Sequence, residues 1–232
     1  MSKLGNSRKA LRRYSDKEKA KVLRGFFKAG PGEYGEGDIF LGVTVPFIRK
    51  VVRRFQDLPL SDAIKLLRSK PHEERLLALL ILVGQFKRGD HKAKERIFKA
   101  YLANTKFINS WDLVDLSAPH IVGGFLIDKN RRVLNKLTKS PLLWERRIAI
   151  LATFAFIRMG DFGSTFSIAK FLLSDEENLI HKACGWMLRE VGKRDLRAEE
   201  KFLRKNYQAM PRTMLRYAIE RFSENKREAY LQ

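Results

Sequence analysis

Three stretches of this chain, "HEERLLALLIL", "WERRIAILATF" and "IHKACGWMLRE", superimpose: each sets a basic residue ahead of an apolar helical face. Arg75, Arg147 and Lys182 mark the register. Trp111 falls between the first two and Arg216 of "MLRYAIERF" follows the last, giving separations of 36, 36, 35 and 34 residues. A steady period near 35 in paired helices is the mark of a HEAT-type solenoid. One helix pair cannot bury its apolar side alone, so pairs must stack. This feature leaves few folds open. The expectation is an all-α, right-handed α-solenoid of HEAT-like helix pairs with a concave basic groove. The rest of the chain agrees, with helical periodicity nearly throughout, no convincing alternating stretch and about twelve helices. Ser15 with Glu18 reads as a capping box, and Pro46 suits a first helical turn. Residues 1–14 read as a basic tail and 15–225 as one domain.

Residues at one phase of a solenoid line one surface. Arg75, Trp111, Arg147, Lys182 and Arg216 should therefore form a row. Four residues on in each helix, Asp115 and Trp186 break the apolar rule, in the middle repeats where a concave surface is deepest.

Charge names the class of partner. The formal net charge is +21 and the pI about 10.3, a field suited to a polyanion, because each neutralised phosphate releases condensed counterions. Basic residues hold a backbone without reading sequence. Asp115 is the odd member, since a carboxylate facing DNA costs affinity. It makes sense where positive charge develops during a reaction, and aromatic faces also favour cations. An oxocarbenium ion, formed when an N-glycosidic bond breaks, meets both conditions. A base already made cationic by alkylation needs no general acid to leave.

Plainer readings stand beside these. Trp111 and Trp186 can be core residues. Asp115 can be held by a backbone or arginine partner. Asp112, about 100° away around the helix, suits a structural carboxylate facing a basic residue of an adjacent repeat. Trp144 is off phase. Of Arg146 and Arg147, phase selects Arg147. The lone Cys184 reads as a small buried packer in a reduced compartment, and the four scattered histidines share no metal-ligand spacing, so no metal site is expected. No run approaches a membrane span, and the basic N-terminus lacks a signal-type apolar region.

"SWDLVD", "WERRIAIL", "KACGWMLRE", "PHEERLLALLILV" and "IFLGVTVPFIR" (residues 39–49) together resemble the AlkD-like DNA alkylation repair proteins, HEAT-like-repeat DNA glycosylases, over roughly residues 20–225. The resemblance implies excision of N3-alkyladenine and N7-alkylguanine from duplex DNA. Beside it, no cofactor is expected, a solenoid with capped ends suits a monomer, and the missing signal region suits an intracellular, nucleoid-associated protein. Trp111 and Trp186 would contact the lesion's deoxyribose. Asp115 would stabilise the sugar cation and position water, and Arg147 would hold the flanking phosphate. Arg75, Lys182 and Arg216 join the DNA-binding row by phase. The Gly-rich "KAGPGEYGEGD" (residues 28–38) reads as a flexible connector or a lip. It lacks the Gly-Lys-Ser/Thr ending of a P-loop. The competing readings are a non-catalytic DNA-binding scaffold on the same solenoid and a HEAT-type protein adaptor, the latter poorly suited to +21.

Overall fold

The computed structural model describes residues 2–232. Among them every regular element is helical, apart from a single bridge pairing Ile39 with Pro71. The chain forms two compact units. The first ends at Ile121 and the second runs from Val122 to Gln232.

The first unit contains α1 (Lys3–Arg12), α2 (Lys17–Phe26), α3 (Val45–Arg54), α4 (Leu60–Leu67), α5 (His72–Arg88), α6 (His91–Leu102) and α7 (Trp111–Asp115). Its centre is α5, which packs against α3, α4, α6 and α7. Leu76, Leu77, Leu79, Ile81 and Leu82 are all fully or almost fully buried. A helix apolar on every side belongs in a core, and each such side chain contributes about 1.5–3 kcal/mol.

The polar first turn of α5 is buried too, and each residue ties down a different segment. Glu73 accepts hydrogen bonds from the backbone N–H groups of Leu41 (2.9 Å), Gly42 (2.8 Å) and Val43 (3.1 Å). That turn requires glycine at 42: φ is +79°, and a Cβ there would lie 1.9 Å from the Asp16 carbonyl oxygen. Glu74 receives Arg8 and Arg12 of α1 at 2.9 and 3.2 Å. Arg75 donates to Asp38 at 2.7 Å and to the Lys70 carbonyl at 2.7 Å.

Two local expectations change. The N-terminal segment, read as a tail, is helix α1. Ser2 caps it by accepting from the Gly5 N–H, Leu11 is fully buried, and Lys9 and Arg12 suit its C-terminal dipole. Asp16 rather than Ser15 caps α2, because its carboxylate accepts from both Glu18 and Lys19 N–H groups.

The second unit contains α8 (Arg132–Thr138), α9 (Leu143–Ala152), α10 (Phe154–Ile157), α11 (Gly163–Phe171), α12 (Asn178–Gly192), α13 (Leu196–Asn206), α14 (Arg212–Ala218) and α15 (Glu224–Leu231). Here the 35-residue period becomes a stack: α9 packs on α12 and α12 on α14, while α8, α11 and α13 pair with them. Gly185 sets the α12–α14 approach, since a Cβ would meet the Met214 carbonyl at 2.4 Å. Its neighbour Cys184 is fully buried.

Glu199 of α13 is buried against Gly192, and its Oε1 has no hydrogen-bond partner. Burial, aided by the charge of Glu200 and opposed by Arg189, raises its carboxyl to about 8. A raised carboxyl favours the fold while protonated, so its contribution is complete below the unfolded pKa and fades as pH rises through 8. Glu199→Gln should therefore stabilise the protein by on the order of 2 kcal/mol at pH 9 and change little near pH 5. Thermal melts at the two pH values check this; an equal shift at both contradicts it.

Candidate active site

The five-residue α7 is too short to hold itself, and its N-cap Ser110 makes no side-chain capping bond. Its place is set by what its side chains grip. Trp111 and Asp115 stand four residues apart on one face. The half-buried Trp111 ring stacks on Phe27 (centroids 5.3 Å, 21°) and meets the edge of Phe26 (5.8 Å, 70°). Phe27 stacks in turn on Phe40 at 5.3 Å. Phe26 stays 62% exposed, so the cluster has an open aromatic edge beside Trp111. Asp115 is half-buried. Its charge reaches the core: burial first, and then Asp115, push up the phenol of Tyr101, whose hydroxyl pairs with Ser117 at 2.9 Å.

Behind the aromatics lies a buried ionic chain. His72 Nε2 lies 2.9 Å from Asp112 and Nδ1 lies 3.1 Å from Asp38. Asp38 also takes Arg75 and, at 3.3 Å, the Asn109 amide. Burial alone would lower the imidazole, but its bonds to Asp112 and Asp38 reverse this and raise it to about 9. Burial would raise Asp38, yet His72 and Arg75 hold it below the usual carboxylate range. His72 is therefore an imidazolium at neutral pH, donating from both nitrogens. It ties the end of the Gly-rich loop to the first turn of α7. Asp112 thus faces a basic residue of a neighbouring helix, as its phase suggests, and the loop is anchored at its far end.

In the second unit the half-buried Trp186 donates from Nε1 to Glu190 at 3.3 Å and lies 6.3 Å from Phe154. Arg158 and Arg194 lie over the Phe154 ring at 4.3 and 5.6 Å. Burial of Glu190 is outweighed by Lys193 and Arg194, which keep its carboxyl low and charged. Arg147 is 5% exposed and donates to the Leu179 carbonyl at 2.6 Å, which makes it a fixed cation. Its neighbour Arg146 pairs with Asp175 at 2.6 Å. Lys182 is half-buried and Arg216 exposed.

Arg75, like Arg147, is buried and departs from the surface row. At 4% exposure, with both terminal nitrogens engaged by Asp38 and by backbone carbonyls, it is an internal brace. The period locates the helix turn correctly but does not show that the acid pairing with Arg75 lies 37 residues upstream. Phe26, Phe27, Phe40, Asp38 and His72 were not singled out by the repeat, because they sit outside its phase. The adjacent pair "FF" before the Gly-rich loop was the available signal.

The chain matches the family described as "DNA alkylation repair enzyme" over residues 7–222. No curated protein matches it. Among solved structures, the "Predicted DNA alkylation repair enzyme from Enterococcus faecalis" is similar, with TM-score 0.71 and 17% identity over 90% of this chain and 97% of that one. At that identity the likeness establishes the shared fold.

Proposed function

The chain belongs to the DNA alkylation repair enzyme family, and from that premise we propose that it is a DNA glycosylase. Its substrates are positively charged alkylated purines, N3-alkyladenine and N7-alkylguanine, in duplex DNA. The observation that carries this reading is a half-buried carboxylate, Asp115, one helical turn from a tryptophan fixed in an aromatic cluster, on a chain of net charge +21. A carboxylate costs ground-state affinity on a DNA-binding surface and gives a catalytic return where a cation forms beside it.

In the proposed reaction the N-glycosidic bond breaks with its electron pair passing to the base. The base enters cationic and leaves neutral, so no general acid is required. The positive charge moves to the deoxyribose, where Asp115 stabilises it and the faces of Trp111 and Trp186 favour it. Water adds to the sugar carbon and its proton passes to solvent. Arg147, Lys182 and Arg216 hold phosphates. Arg75 has no phosphate role in this scheme and braces the Gly-rich loop through Asp38. The protein acts without a cofactor, as an intracellular, nucleoid-associated monomer.

Incubation with methylated duplex DNA should release free 7-methylguanine and 3-methyladenine and leave abasic sites. Salt-sensitive binding to the same duplex with no base release would leave only the non-catalytic scaffold.

A further inference from the structure

Helices α1 and α3 pack together in the first unit. Residues 3–13 and 49–54 carry nine Lys and Arg side chains, and neither helix holds an acid. Glu74 takes two of the nine, Arg8 and Arg12. Among the described residues, none of the other seven pairs with a carboxylate. Lys50 and Arg54 rest over the rings of Phe47 (4.9 Å) and Phe55 (5.7 Å), which orients the cations without neutralising them. Two shallow depressions sit on this face. One of about 490 Å³ is lined by Gly5, Arg8, Lys9, Arg12 and Arg13. Another of about 280 Å³ is lined by Asn6, Lys9, Ala10, Arg13, Arg54 and Phe55. Lys9 and Arg13 border both.

So many uncompensated like charges repel one another and cost stability; a ligand that supplies anions at regular intervals relieves this. We propose that the α1/α3 face is a second DNA contact, gripping the phosphate backbone of duplex DNA with residues separate from Trp111 and Asp115. The ten residues of α1 span about 15 Å at 1.5 Å per residue, the length of about four base-pair steps measured along the duplex axis at 3.4 Å each. The depressions offer charge without the central apolar anchor that a protein partner needs. Glu74 serves as the clamp that sets the rotation of α1, turning Lys9 and Arg13 toward Arg54. The inference shares its DNA partner with the glycosylase reading and does not depend on the chemistry.

The test is the salt dependence of affinity for a short undamaged duplex. Lys9→Gln, Arg13→Gln and Arg54→Gln combined should make the log Kd against log salt slope shallower by about 2–3. Single-turnover base release at saturating enzyme should be unchanged. A control triple on α13, Arg197→Gln, Lys201→Gln and Lys205→Gln, removes the same charge elsewhere and should shift the slope by less than one contact. The altered residues are exposed and pair with no carboxylate, and unchanged thermal melts verify folding. An unchanged slope, an equal loss in the control, or a loss seen only with single-stranded DNA overturns the proposal. A wild type that releases no base yet shows the slope change defeats the glycosylase reading and leaves this one standing.

Discussion

Asp115→Asn should lower single-turnover excision of 7-methylguanine from duplex DNA by roughly 10²-fold or more, the scale of losing one electrostatic partner of a transition state. Its affinity for the same duplex should stay level or rise slightly. The two effects have opposite sign for one reason: the carboxylate repels phosphate in the ground state and attracts the sugar only once the cation has formed. The amide keeps the shape, so an intact fold is expected, and thermal melts would confirm it. Because Asp115 sits at the end of a helix too short to form alone, a loss of stability in parallel with activity would point to a structural role. Excision at the wild-type rate would remove Asp115 from the chemistry.

His72→Ala should strongly destabilise the first unit. It deletes the cation between two buried carboxylates, Asp38 and Asp112, and stranding charges in that way costs about 3–5 kcal/mol. The wild type should show the same linkage through pH. The folded imidazole titrates near 9 against an ordinary 6.5. Its contribution is thus complete below 6.5 and lost as pH rises through 9. The difference corresponds to about 3 kcal/mol. Denaturant unfolding from pH 6 to 10 should show this alkaline loss in the wild type and not in His72→Ala. Glu199 adds an alkaline loss of its own, so the comparison is made in the Glu199→Gln background. Identical profiles for the two proteins would place the loss elsewhere. Trp111 reports locally, since releasing Asp112 frees the first turn of α7 from α5 and should alter that indole's fluorescence.

Periodicity reached the architecture where helices repeat and missed it where single side chains decide. The spacing from Arg147 through Lys182 to Arg216 is realised as the α9–α12–α14 stack, because apolar faces at a fixed interval can bury one another in only one register. Trp111 and Asp115 follow the same logic, being i and i+4 on a helix. The first turn of α5 was less legible. Glu73 and Glu74 suit a helix N-terminus by dipole alone, and only three-dimensional contact shows that one serves the 41–43 backbone and the other serves α1. Arg75 has the phase of a surface residue but is paired with Asp38. Phase fixes the face of a helix, whereas the neighbour on that face comes from a loop whose path obeys no period. The amphipathic spacing of Leu4, Ala10 and Leu11 would have revealed α1, but the density of basic residues masked it.

The most direct test of the central claim, that a carboxylate on α7 exists to meet a sugar cation, is binding rather than turnover. A duplex carrying a cationic pyrrolidine in place of the lesion deoxyribose mimics the charge of the intermediate, and one carrying a neutral tetrahydrofuran matches its shape. Wild-type protein should bind the cationic duplex at least about tenfold more tightly than the neutral one, as expected for a transition-state mimic, and Asp115→Asn should bind the two alike. Equal binding of both duplexes by the wild type, or a preference that survives Asp115→Asn, would contradict the account.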